Sequence, residues 1–307
     1  MPSTQYYWRG DGAGAKSDLN DGRNWIDETG TAHIQADYPG SAANPEVIFD
    51  AAITAPALAP STNMDMSGFT YPALAALRMG PLCNYAIGDP THPLITTCPL
   101  VIIDAPNAGN IYLKGISGTA GISNLLLLDG PAIGKLLYLD GKITSPIFLK
   151  GKIDIADTCT IVTSCEFRYK ANRSSDVIAT IHAPDSAETL PNTVICSGGT
   201  ITNERAIATE LVLDGGDWTQ NIGAIALVTQ RGGLGHWNAG AITNIVGYGG
   251  EWNAEGGEIA RVLGDAICYP GHTLNLNNPL GNVSVSGSIV TYGAQLLFTP
   301  GSEITVS

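Results

Sequence analysis

Two carboxylates and three tryptophans in the second half of the chain are spaced as if to handle a sugar. Asp217 and Glu251 are each followed by a tryptophan, Trp218 and Trp252, and Trp237 lies between them. A pair of carboxyl groups across a cleft is the minimal machinery for glycoside hydrolysis, and an inverting enzyme separates them by about 6.5–9.5 Å. Exposed aromatic rings would give such a cleft flat surfaces for pyranose rings. Chemistry at these residues depends on what brings them into line.

The positioning signal is a repeat. Gly-Gly recurs at 198–199, 215–216, 232–233 and 249–250, a step of 17 residues each time. At that period Val194, Leu211, Val228, Ile245 and Val262 form one column, and Ile225, Ile242, Ile259 and Leu276 form another, preceded by Ala208. Units this short cannot bury their own apolar faces, so they must stack on their neighbours. Their apolar runs are broken by Gly, Asn and Asp, which marks strands and turns rather than helices. The glycine pair supplies the corner. In a stack of strands about 4.8 Å apart, Asp217 and Glu251 fall two coils apart, roughly 9–10 Å. Leu234 interrupts their column. Two readings follow: a sugar-binding groove at Asp217, Trp218, Trp237, Glu251 and Trp252, or solvated corner acids with tryptophans covering bare glycine backbone. The interrupted column favours the second.

Upstream, the apolar runs LVIID (100–104), NIYLKG (110–115), NLLLLDG (124–130), KLLYLDG (135–141), PIFLKG (146–151) and KIDIAD (152–157) read as further strands. Four of them end at Gly115, Gly130, Gly141 and Gly151, the same corner at irregular spacing. PEVIFD (45–50) reads as the first regular strand, YPALAALRMG (71–80) as the best helical candidate, and 168–193 as a loop thrown out from one coil. The expected fold is all-β: a right-handed parallel β-helix, or β-solenoid, over 65–307, with an irregular N-terminal cap or anchor module at 1–64. That module carries Tyr6, Tyr7, Trp8, Arg9 and Trp25 among turn residues. They read as a candidate contact set for a capsid, since Tyr, Trp and Arg favour interface cores. A segment that only caps the coil would lay Trp8 and Trp25 against the strands near Val47 and Leu100, and one that also anchors would leave Tyr6, Tyr7 and Arg9 partly exposed.

The remaining sequence narrows the function. There are 28 acidic against 15 basic residues, a net charge of −13, which disfavours nucleic acid or an anionic membrane as partner. No apolar run reaches a membrane span of about 18–20 residues, and the first residues lack a signal peptide's basic and apolar regions. Synthesis in a cytoplasm, with retention there or release without Sec export, is therefore expected. The six cysteines form no CxxC pair or zinc spacing and read as reduced, buried thiols. DLNDG (18–22) has calcium-type ligands without the loop length or the closing Glu, so a turn is expected. The RGD at 9–11 and the sequons at Asn172 and Asn282 carry weight only outside a cell. The five histidines are scattered and matched to no nucleophile. Neither a catalytic set, a metal site nor a cofactor is expected.

The N-terminal stretch YYWRGDG…SDLNDGRNWID, followed by a glycine-rich β-solenoid, resembles virion proteins of tailed bacteriophages, in particular the trimeric β-helix decoration (cement) proteins of capsids. The resemblance implies a homotrimer on the capsid surface, bound to the major capsid protein and stabilising the head. Its alternative is a tail spike or fibre that binds or cleaves host polysaccharide. LLLLDG and PIFLKG leave alternate apolar residues pointing outward, which also predicts association.

Overall fold

The computed structural model describes residues 4–9, 18–39, 45–50, 59–60, 74–116, 121–168, 177–182, 189–190, 193–254, 259–278 and 283–298. Among them are 28 β-strands, one 3-10 turn at Gly22–Asn24 and no α-helix. The chain is a parallel β-helix. It divides into two compact units, Met1–Thr160 and Ile161–Ser307. The boundary expected at 64/65 lies outside the described residues.

In the first unit, Glu46–Phe49, Ala76–Met79, Cys98–Asp104 and Ile122–Asp129 stack in parallel, followed by the second half of Leu137–Phe148. A second sheet holds Leu94–Thr96, Ile111–Gly115, the first half of Leu137–Phe148, and Gly151–Ile155. The two runs expected at 135–141 and 146–151 are thus one twelve-residue strand. It crosses from sheet to sheet at Gly141, whose φ of 68° is a left-handed conformation open to glycine. A Cβ there would lie 1.8 Å from the Gly115 carbonyl, so adjacent coils touch backbone to backbone at this corner.

Ala76–Met79 corrects the helical expectation for 71–80, of which 71–73 lie outside the described residues. Leu77 stacks between Val47 and Val101, and Met79 between Phe49 and Ile103. All six are buried. Burying a side chain of this size is worth about 1.5–3 kcal/mol, more than a two-turn helical propensity can offer.

In the second unit the first sheet runs through Thr193–Cys196, Glu210–Leu213, Ile225–Gln230, Gly240–Gly247 and Arg261–Cys268. The second runs through Val177–Ile181, Thr200–Asn203, Asp217–Gln220, Leu234–Trp237, Gly250–Asn253, His272–Leu276 and Gln295–Phe298. The block 168–193 therefore contributes a regular strand; its residues 169–176, 183–188 and 191–192 lie outside the described set.

The 17-residue register holds along Val194, Leu211, Val228 and Ile245. It then changes. Ile245 pairs with Ala266, and Ile242 with Leu263, so that coil is four residues longer. Val262 and Ile259, expected in the core, are 41% and 56% exposed. Leu276 belongs to the other sheet, opposite Phe298, and Ile207 rather than Ala208 precedes Ile225. The Gly-Gly corners do stack: Gly199, Gly216, Gly233 and Gly250 all have φ between 73° and 90°.

Inside those corners, buried side chains hold the turning backbone. Asn203, Gln220 and Trp237 form one inward column. Each donates an N–H to the carbonyl two residues on: Asn203 Nδ2 to Arg205 (2.7 Å), Gln220 Nε2 to Ile222 (2.5 Å) and Trp237 Nε1 to Ala239 (3.0 Å). At the glycine corners Cys196 Sγ and Gln230 Nε2 do the same for Gly198 and Gly232. Where Gly247 offers no side chain, the His272 ring from the next coil fills the space and Nδ1 meets the Gly249 carbonyl at 3.2 Å. A buried carbonyl left without a donor costs about 1–3 kcal/mol, so a corner repeated in every coil demands this.

Candidate functional site

Asp217, Leu234 and Glu251 stand in one outward column of the second sheet, in the expected register. The aromatic half of the expected site is absent from the surface. Trp218, Trp237 and Trp252 are at most 1% exposed. Strand alternation sends the residue after each outward acid inward. Trp218, Gly235 and Trp252 share that inward column, and the Trp252 ring occupies the place of the side chain that Gly235 lacks. The tryptophans are core, so they present no face to a sugar.

What remains outside is polar and modest. His236 Nε2 lies 3.4 Å from Asp217 Oδ1, both side chains being about two-fifths exposed. Glu251 is held by its backbone, whose carbonyl accepts from Gln230 Nε2 at 2.9 Å. Among the described residues no group of three or more His, Cys, Asp or Glu could hold a metal ion, and no helix is long and apolar enough to cross a membrane. In DLNDG, Asp21 caps the 3-10 turn by accepting from the Arg23 amide and pairs with its guanidinium at 2.7 Å. A cation already sits there.

The N-terminal candidates separate by strand alternation too. Gln5–Trp8 adds in parallel to Glu46–Phe49 and pairs antiparallel with Trp25–Ile26. Trp8 and Trp25 meet edge-to-face at 5.0 Å and both approach Phe49. Tyr6 stacks on His33 at 4.6 Å and donates its hydroxyl to Asp37. Tyr6, Trp8 and Trp25 are buried, so they are corrected from contact residues to cap residues. Tyr7 is half-buried and Arg9 exposed. The rest of RGD, and the asparagines of both sequons, lie outside the described residues.

All six cysteines are free and buried. Burial pushes the thiols of Cys83, Cys98 and Cys268 to about 11 and that of Cys196 to about 12, which removes them as nucleophiles at neutral pH.

The most unusual surfaces are apolar, and only that of the first unit follows from the outward residues expected in LLLLDG and PIFLKG. In the second unit Val246, Ile267 and Val290 stack outward on the first sheet. Two residues along, Tyr248, Tyr269 and Tyr292 stack ring on ring at 4.9 and 5.3 Å. In the first unit Ile102, Leu126 and Ile147 form an outward aliphatic column. The tyrosine spacing, 21 and then 23 residues, departs from the period that revealed the coil, so the ladder is invisible at 17. No protein-family model, curated protein or solved structure matches the chain.

Proposed function

We propose that the protein is a structural component of a phage particle, a capsid decoration protein that assembles with copies of itself as a homotrimer on the head. The observation that carries a structural role is the outward apolar columns in both units, on strands whose inner faces are already packed. Surfaces of this kind exist to be covered, and closed cyclic assemblies are the usual result. The phage setting rests on the likeness of the N-terminal sequence to virion proteins. In this reading the major capsid protein meets the outward side of the cap strand, at Tyr7 and Arg9.

The test is quantitative mass spectrometry of purified particles. Copies in the hundreds support decoration of the head; a handful would move the protein to the tail and overturn the capsid reading. Arg9→Glu with Tyr7→Ala should lower particle occupancy at least tenfold while leaving the circular dichroism unchanged. A tail-spike reading keeps the Asp217–His236 pair and Glu251 as polar contacts to a glycan. It has lost its aromatic platform.

A further inference from the structure

The last described coil of the second unit leaves the inside of the stack showing. On the first sheet Arg261 and Leu263 are at most 1% exposed, but their partners one coil on, Val283 and Val285, are only half-buried. On the second sheet Leu276 is 5% exposed and Phe298, opposite it, 47%. Among the described residues Val283–Val285, Ile289–Thr291 and Gln295–Phe298 pair on one side only. Natural sheets defend such an edge with charge, with proline or with a cover. The first two are missing here: no Asp, Glu, Lys or Arg occurs in 266–302, and none of the three strands holds a proline. A cover is what remains.

The N–H and C=O groups along a strand edge are matched by another extended backbone, and the register says which. Gly240, Arg261 and Val283 follow one another on the first sheet at steps of 21 and 22 residues, as do Ile242, Leu263 and Val285. A further 21 from Val283 and Val285 reaches Ile304 and Val306, apolar residues with the same two-residue spacing, in the run EITVS. Residues 299–307 lie outside the described residues; in sequence, Pro300-Gly301 marks a turn before that run. This unit returns from the second sheet to the first across two residues after Trp237 and seven after Asn253. The four residues 299–302 fall within that range. We propose that 303–307 adds to the first sheet as its covering parallel strand, with Ile304 over Val283, Val306 over Val285, and Thr305 outward over Ser284. The contact is a guard on assembly as well as a cap. While 303–307 occupies this edge, no strand of another chain can pair with it. The capsid reading is not needed for this.

A disulfide across the joint tests it in the full chain. Ser284→Cys with Thr305→Cys puts two outward thiols on neighbouring strands, within the reach of a disulfide; the six native thiols are all buried. Oxidised glutathione should close this pair within one chain, read as a bridged peptide from protein of 31.9 kDa under non-reducing conditions. Ser284→Cys with Ile304→Cys is the control: its side chains point to opposite faces and should not join. A first pair that stays open, or a control that closes equally well, overturns the assignment. A bridge found only between two chains, at twice 31.9 kDa, gives the edge to a second copy and overturns it too. Hydrogen exchange supplies an independent reading. Val306→Asp should speed exchange of the strand amides in 283–298 at least tenfold, and Thr305→Asp should leave them unchanged. Equal rates in the two variants would count against the strand.

Discussion

The two units have the same coil and hide it to very different degrees. Between Val194 and Ile245 successive inward residues are 17 apart three times running. Between Val47 and Pro146, through Leu77, Val101 and Leu125, the steps are 30, 24, 24 and 21. The stacks themselves are alike: parallel, aliphatic, buried. The difference lies in what joins the strands. Corners between Val194 and Ile245 are minimal, which keeps the period strict. Those in the first unit carry insertions, which a solenoid tolerates because each coil needs only its neighbours. Position in the stack therefore sets the cost of a change, and changes of one chemical kind should differ sharply between a corner or core column and a loop.

The largest effect is expected at Ile242, which is 1% exposed between Ile225 and Leu263. Ile242→Asp buries an unpaired carboxylate, a cost of several kcal/mol even where water reaches it. Nearest-neighbour coupling makes the damage local. Hydrogen exchange should accelerate by at least tenfold across 225–268, with strand amides at 101–127 keeping their protection. Equal loss in both stretches would mean that the units fold as one cooperative block.

Next come two glycines with nearly the same backbone. Gly240 (φ 89°) and Gly134 (φ 82°) are both left-handed, but a Cβ on Gly240 would sit 2.0 Å from the Gly223 carbonyl, whereas one on Gly134 meets nothing within 4 Å. Gly134→Ala should cost only the left-handed penalty of about 1–2 kcal/mol. Gly240→Ala must also push two coils apart and should cost clearly more. Thermal midpoints of the two variants measure the difference, and equal shifts would show that stacked corners yield easily.

The corner carbonyls come third. Gln220 donates to the carbonyls of Arg205 and Ile222 from full burial. Gln220→Leu keeps the volume, removes that donor and also takes the Oε1 acceptor from Asn203 Nδ2 and Trp218 Nε1, so at least about 1–3 kcal/mol should be lost. Cys98 has the same geometry in the first unit, its Sγ 3.1 Å from the Leu100 carbonyl. A thiol is a weak donor, so Cys98→Ala should lose mostly packing, under about 1.5 kcal/mol. Chemical denaturation curves for the pair give the ratio.

How much of this was legible follows from the same contrast. The fold was, because the Gly-Gly period and the Leu211–Val228–Ile245 column survive only in a solenoid. The changed register after Ile245 was not, since four added residues leave no mark until pairing is known. Asp217 and Glu251 stand in one column as the period predicts, and of the two readings of their tryptophans, rings for a sugar or cover for glycine, strict alternation already decides for the second: Trp252 lies inward over Gly235. Trp8, two residues from Tyr6 on one strand face, was legible as core by that rule. The tyrosine ladder was beyond reach: stacking across coils depends on register, and register failed there first.

The smallest effect is one of pH. His272 is 1% exposed, with Nδ1 on the Gly249 carbonyl and Nε2 without a partner. Burial disfavours the cation and holds its pKa below the ordinary 6.5, against a smaller opposing pull from that hydrogen bond. The unfolded chain therefore takes up a proton more readily than the folded one. The contribution of neutral His272 to stability is complete above about pH 6.5 and declines as the pH falls below it. Glu46 and Asp140 add a second, more acidic loss. Burial alone would raise both, but Arg78 and Gln5 on Glu46, and Lys114 and Thr158 on Asp140, outweigh it and hold both carboxyls low. Their contribution is present above ordinary values of 4.5 and 3.8 and goes only below them. The two windows separate the units: the first acid-induced loss, which begins as the pH falls below about 6.5, should appear in exchange rates around Gly247–Leu276, and the later one around Glu46 and Asp140. His272→Phe keeps a ring against Gly247 and has nothing to protonate, so it should abolish the first window alone. A first loss that persists in that variant would place the titrating group elsewhere.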